Sequence, residues 1–308
     1  MLAVLSITIP IFLLIGVGFL AFRFRIVPPE HARALGAFVL NFALPALILR
    51  ALSSHRVSEI LNLRYLAGYA AASLLVFALV FTIARRARGR SRTESAIQAM
   101  GASVSNSGFI GYAVASLVLG EVAGLALSLN MIVENAIVLP LALGLAEAGR
   151  GEGATLAATI RGAALRLARN PLILSILVGL ALALTGVVPP APVARAIDML
   201  ANAAAAVALF SIGGALVGAH ATGLVADVAL IVAGKLVAFP LAVFCVFALV
   251  PGLDPVLRKA ALVFASVPMI AVYPLFGQVY GLGRLAAGAM VAATALSFLT
   301  ISTLLYFL

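Results

Sequence analysis

The stretch SNSGFIGY, residues 105–112, places one asparagine, two serines and two glycines side by side within a run that is otherwise apolar. Inside a bilayer, backbone that leaves the helical ladder exposes N–H and C=O groups at a cost of several kcal/mol each. It persists only where it lines a cavity or is packed within protein. The glycines free the backbone and the short polar side chains can satisfy it, so this stretch predicts a broken membrane helix.

The composition around that stretch places the whole chain in a membrane. Of the 308 residues, 64% are hydrophobic and 10% are charged, and the mean hydropathy is +1.22, which a soluble domain could not bury. Read against the ~20 residues that a helix needs to cross the hydrocarbon, the sequence predicts an all-α protein with ten spans. They cover residues 3–22, 32–53, 65–84, 95–119, 122–147, 169–188, 193–219, 224–250, 258–280 and 284–307.

The net charge of +10 is explained by how the basic residues are distributed between the two sides of the membrane. With the N-terminus outside, the cytoplasmic loops and helix ends carry thirteen basic residues and the opposite ends carry six, as the positive-inside rule requires. We therefore expect a multi-pass protein with both termini outside the cytoplasm, and no nucleic-acid partner.

An internal repeat connects the first break to a second one. Asn41 precedes Asn106 by 65 residues, and Asn202 precedes Pro268 by 66. Five spans per half would insert the second half upside down, and such inverted repeats are typical of transporters with a site near the midplane. We predict repeats at residues 1–148 and 169–308, joined by a cytoplasmic linker at 149–168.

The two breaks are the predicted substrate site. Half-helix N-termini that meet at the midplane would attract an anion. The alternative is that glycine and serine merely pack helices and proline merely kinks them. The predicted substrate-binding residues are Asn41, Ser105, Asn106, Ser107, Gly108, Gly111, Asn202, Ser266, Pro268, Met269 and Ile270.

Two charged residues lie in the middle of predicted spans. Glu134 and Lys235 are about ten residues from either end of their runs, where inserting a charge costs roughly 2.5–3.5 kcal/mol. Asn130 shares a helical face with Glu134, and Asn135 follows it. We predict these four as coupling residues, with Glu134 carrying a proton and Lys235 as its counter-ion or as part of an anion site. A structural pair, or a lysine that snorkels, is the alternative.

Enzymatic chemistry has no motif in this sequence. There is no HExxH, no glycine-rich phosphate loop and no Ser, His and Asp set placed for nucleophilic catalysis. Cys245 is the only cysteine and falls within a span. We expect neither an enzyme nor a bound cofactor or metal.

Six phrases in order carry a family resemblance: NFALPALIL (41–49), NSGFIGY (106–112), MIVENAIVLPLALGLAE (131–147), NPLILSILVGL (170–180), ALFSIGGALVG (208–218) and PMIAVYPLFGQVYG (268–281). Together they resemble the auxin efflux carrier (AEC) family, in particular its bacterial malonate-transporter-like branch. The resemblance covers essentially the whole chain.

The resemblance implies two inverted five-helix repeats with crossed, broken helices four and nine, similar to bile-acid and sodium/proton carriers. It also implies a bacterial inner-membrane location and a small organic anion bound beside the crossover, and relatives suggest a homodimer. Asn106, Gly108 and Gly111 match the first crossover motif and Pro268 the second. Val272 stands where plant-like members often have asparagine, which argues against auxin as the substrate.

These observations predict a secondary active or potential-driven transporter of mono- or dicarboxylates, an exporter or permease that works by alternating access. One alternative is a membrane receptor or scaffold that keeps the carrier fold without transporting. A sodium-coupled symporter is another, although the interior offers one clear carboxylate where sodium sites usually collect several oxygen ligands.

Overall fold

The protein is a bundle of helices in a computed structural model that describes residues 2–28, 30–53, 62–149, 169, 171–217 and 225–307. The helices are α1 (Leu2–Arg23), α2 (His31–Phe38), α3 (Leu44–Ser53), α4 (Leu63–Thr82), α5 (Arg92–Ser103), α6 (Tyr112–Leu119), α7 (Val122–Val133), α8 (Leu139–Gly149), α9 (Pro171–Thr185), α10 (Ala191–Leu216), α11 (Val225–Ala233), α12 (Phe239–Ala248), α13 (Pro255–Ser266), α14 (Tyr273–Val279) and α15 (Gly283–Phe307). Within the described residues, the sole β-type pairing is an isolated bridge between Ser105 and Met269.

Short π-helical turns interrupt several of these helices. Such turns are rare and are found frequently at functional sites. Glu134 begins one of them and Lys235 lies in another. The turns are Val39–Ala43 between α2 and α3, Ile83–Ala87 after α4, Ser107–Gly111 before α6, Glu134–Val138 between α7 and α8, and Gly234–Ala238 between α11 and α12.

Six continuous helical stretches are long and apolar enough to cross a membrane: Ala34–Ser53, Leu63–Ala87, Val122–Ala148, Ala191–Gly214, Val225–Ala248 and Gly283–Phe307. Shorter apolar helices occur at Phe12–Arg23, Ser107–Leu119 and Pro171–Thr185. The prediction of an all-helical membrane protein is confirmed, whereas ten spans in two inverted halves stays a prediction. The predicted linker, apart from Gly149, lies outside the described residues.

The helices pack most densely within two groups. The first group contains α1, α2, α3, α9 and α10, and the second contains α4 to α8 and α11 to α15. In the first group α1 and α10 approach backbone to backbone, so closely that a Cβ on Gly18 would overlap the carbonyl oxygen of Phe210. Small residues that permit such close approach are typical of membrane helix interfaces.

The two broken helices satisfy each other's backbone. The α5 helix opens with a capping box between Ser91 and Glu94 and ends at Ser103, and α13 ends at Ser266. Beyond these ends, the N–H of Asn106 donates to the carbonyl of Pro268 at 2.8 Å, and the N–H of Ile270 donates to the carbonyl of Val104 at 3.3 Å. Pairing of this kind lets extended backbone exist at membrane depth.

Candidate functional site

A cavity of about 360 Å³ lies beside the paired breaks, within the size range of small-molecule sites. Its walls come from both helix groups. One side is formed by α3, α9 and the π-helical turn between α2 and α3, and the other by the breaks, α7, α8, α14 and the turn between α7 and α8. The lining residues are Leu40, Asn41, Leu44, Ser105, Asn106, Ser107, Gly108, Phe109, Met131, Asn135, Leu139, Pro171, Leu172, Ile270, Ala271, Val272 and Phe276. Most are apolar, so the few polar groups would set the orientation of any ligand.

Asn106 has a buried side-chain amide that is available to hydrogen-bond a ligand. It is 1% exposed, and neither its side-chain oxygen nor its side-chain nitrogen has a hydrogen-bond partner among the described residues. A buried unsatisfied polar group costs about 1–3 kcal/mol. The backbone of Asn106 is held at both ends, by Pro268 and by Gly111, whose N–H donates to the Asn106 carbonyl at 2.8 Å. The amide is therefore held in place at the cavity wall.

A helix begins at the same wall. The helical stretch Ser107–Leu119 starts directly after Asn106, so the first turn, including Gly108 and Phe109, lies along the cavity. The N-terminus of a helix carries a partial positive charge and backbone N–H groups that favour an anion. None of the described lining residues is a lysine or an arginine. An anion in this cavity would therefore be bound by the side-chain amide of Asn106 and by the N-terminus of the helix that starts at Ser107.

Glu134 lies behind the first break and is fully buried. Its Oε1 accepts hydrogen bonds from the hydroxyl of Ser107 at 2.7 Å, from the backbone N–H of Ser105 at 3.2 Å and from the hydroxyl of Tyr69 at 3.4 Å. Its Oε2 has no partner among the described residues. The carboxyl group is thus tied to two residues that line the cavity, although Glu134 itself does not line it.

Lys235 reaches the same break from the opposite side. It is fully buried, and its ammonium donates to the hydroxyl of Ser105 at 2.8 Å and to the carbonyl of Ala265 at 2.9 Å. The ammonium nitrogen is also 4.3 Å from the centre of the Phe239 ring. Within the described residues, Lys235 and Glu134 form no ion pair at 4.0 Å or less. Ser105 lies between them and bonds to both.

The structure brings most of the predicted site residues together. Those that line the cavity are Asn41, Ser105, Asn106, Ser107, Gly108, Asn135 and Ile270. Those that are buried around the breaks without lining the cavity are Gly111, Asn130, Glu134, Lys235, Ser266, Pro268 and Met269.

Asn202 lies apart from the cavity. It is exposed on α10, and its side-chain oxygen accepts a hydrogen bond from Arg50 at 2.8 Å.

Two tyrosines of α4 belong to the site although the sequence interpretation overlooked them. The hydroxyl of Tyr69 reaches Glu134, and the hydroxyl of Tyr65 donates to the side-chain oxygen of Asn130 at 3.0 Å. Both tyrosines are fully buried. They are four residues apart and so share one helical face, and that spacing of hydroxyl-bearing aromatics within an apolar span could have identified them.

Comparison with known proteins places this arrangement among transporters. The family described as "Membrane transport protein" matches residues 3–306. A protein of Rhizobium meliloti (strain 1021) named "Putative malonate transporter" is 33% identical over 302 residues, which are 98% of this chain and 94% of the relative. An Escherichia coli (strain K12) protein named "Uncharacterized transporter YfdV" is 27% identical over 249 residues, 77% of this chain and 76% of the relative.

Proposed function

The chain belongs to the membrane transport protein family, the auxin efflux carrier family, and we propose that it is a secondary carrier of small organic anions, mono- or dicarboxylates. The observation that carries this proposal is the buried, unpartnered amide of Asn106 at the wall of the cavity. It stands directly before a helix N-terminus, and together they form a binding point for a carboxylate. Malonate is the first candidate substrate, because a relative that aligns with 98% of this chain is named "Putative malonate transporter".

The position of the cavity supports alternating access. On one side it is lined by α3, α9 and the turn between α2 and α3 of the first helix group, and on the other by the breaks, α7, α8 and α14 of the second group. Movement of one group against the other would open the site to one side of the membrane and then to the other. In this proposal ten spans form two inverted repeats in a bacterial inner membrane, with both termini on the periplasmic side, and two copies form a dimer.

Glu134 and Lys235 are the proposed coupling residues. Glu134 accepts a hydrogen bond from the backbone N–H of Ser105, Lys235 donates one to its hydroxyl, and Ser105 lines the cavity. A change of charge at either residue therefore reaches the bound substrate through a single residue. Ionisable groups buried in membrane helices mark transport pathways by default. The carrier would then couple substrate movement to a proton or to the membrane potential.

Counterflow in proteoliposomes tests the proposed function. Vesicles are preloaded with unlabelled malonate, malate, lactate or indole-acetate, and labelled uptake is followed with and without a pH gradient. A carrier gives transient accumulation with a matching preload, a channel gives none, and absence of exchange in folded protein would support a receptor.

Asn106→Ala tests the proposed binding point in the same assay. We expect at least a tenfold loss of exchange with unchanged membrane insertion, because the anchoring amide is gone. Asn62→Ala is the matched control: Asn62 caps α4 and does not line the cavity, so exchange should be retained. Wild-type exchange by Asn106→Ala would refute the assignment.

A further inference from the structure

The ammonium of Lys235 lies among groups that suit a small cation. Its two hydrogen-bond acceptors are a serine hydroxyl and a backbone carbonyl, and Phe239 presents its ring at 4.3 Å. Hydroxyl and carbonyl oxygens are ligands of hard metal cations, and aromatic faces attract ammonium groups. The surroundings of Lys235 would therefore also suit a free monovalent cation.

Two helix ends make this position negative. Ala265 lies in the last turn of α13, which ends at Ser266, and Ser105 follows the end of α5 at Ser103. Carbonyl groups in a last helical turn have no partner within the helix, and the C-terminus carries a partial negative charge. The ammonium thus lies where two such ends converge, and the carboxyl group of Glu134 accepts a hydrogen bond from the backbone N–H of the same Ser105.

The paired breaks therefore have two electrostatic faces. The helix that begins at Ser107 turns its positive end toward the cavity, whereas α5 and α13 turn their negative ends toward Lys235. A charge fixed at the second face stabilises the break by binding both broken segments at once. That role would otherwise need an ion from solution, since an unbalanced carboxylate in the membrane interior is costly.

We propose that the Lys235 ammonium is a tethered cation that substitutes for a coupling sodium ion, positions Ser105 at the substrate cavity and makes transport independent of sodium. This inference rests on the proposed carrier function for its consequence in transport. The placement of the ammonium does not depend on which anion is carried. Lys235 acts here as a positioning residue, because the cavity is lined by Ser105 and not by Lys235 itself.

Chemical rescue in the purified full-length protein tests the tethered cation. Lys235→Ala removes the outer three carbons and the nitrogen of the side chain, and n-propylammonium supplies the same atoms. We expect Lys235→Ala to lower the apparent melting temperature in detergent, and n-propylammonium chloride to restore at least half of the loss. Equal concentrations of n-propanol or choline chloride should restore none of it.

Two variants control the rescue. Lys235→Met fills the space without a charge, and Lys259→Ala removes the other lysine of the chain, which is exposed on α13. Neither should respond to n-propylammonium. A folded Lys235→Ala that is not rescued, or an equal rise in all variants, would overturn the proposal.

A second measurement does not require any variant to fold. Malonate counterflow by the wild-type protein is compared in sodium, potassium and choline media of equal ionic strength. Initial rates within twofold of each other are expected, and a tenfold loss without sodium would contradict the tethered cation. If malonate is not exchanged in any medium, the proposal that the protein transports malonate is refuted. The melting experiment then still tests the role of Lys235.

Discussion

The charges of Glu134 and Lys235 should depend on each other although they do not touch. Glu134→Gln leaves the buried ammonium without its counter-charge, and Lys235→Met leaves the buried carboxyl group without its own. Both side chains are 0% exposed, so water cannot compensate the charge that remains. We expect each single variant to lose much of its free energy of unfolding. The double variant carries neither charge, so its loss relative to wild type should be no larger than the loss in either single variant.

The size of the effect follows from burial. Removing one partner of a buried charge pair costs about 3–5 kcal/mol, so the coupling energy of the cycle should be about 3 kcal/mol, near the upper end of measured couplings. An unfolding entropy of about 2.1 cal/mol/K per residue over 308 residues gives about 650 cal/mol/K. Each single variant should then lower the melting temperature by about 5–8 °C.

Helical circular dichroism in detergent is the suitable assay, because the chain contains no tryptophan. Melting curves of the four proteins complete the cycle. Lys259→Ala again serves as the control for loss of an exposed charge, and its melting temperature should stay near that of wild type. Losses that simply add in the double variant would refute the electrostatic link through Ser105.

Two further predictions concern packing and ion pairs. Gly18→Val should destabilise the protein by about 1–3 kcal/mol or more, because its Cβ would meet the Phe210 backbone, while Gly16→Val, with nothing within 4 Å of its Cβ, should not. Asp227→Asn should cost about 1–3 kcal/mol, since Asp227 is 1% exposed and holds two arginines. Asp198→Asn removes an ion pair whose aspartate is 54% exposed and should cost less than about 1 kcal/mol. Melting temperatures measure all four, and equal losses within either pair would contradict the reasoning.

Several conclusions needed only the order and chemistry of the residues. Membrane insertion depends on the length and hydropathy of local segments, and the membrane location, the transport family and the absence of an enzymatic role are all confirmed by the family match. The break at 105–112 could also be predicted from the local sequence, since glycines and short polar side chains weaken a helix wherever they cluster. The α5 helix does end at Ser103.

Contacts between side chains on different helices could not be predicted from the sequence, because they depend on how the helices rotate and pack. Ser105 and Lys235 are 130 residues apart in the chain, and no local pattern could place the ammonium on that hydroxyl. Asn202 and Asn41 looked equivalent by spacing, yet only Asn41 lines the cavity.

The tertiary structure alone decided that Ser105 stands between the two buried charges. In a bilayer the apolar surface of a helix is satisfied in almost any orientation, so hydropathy determines that a segment spans the membrane but not which neighbour it faces. Packing of small residues and the pairing of buried polar groups make that choice.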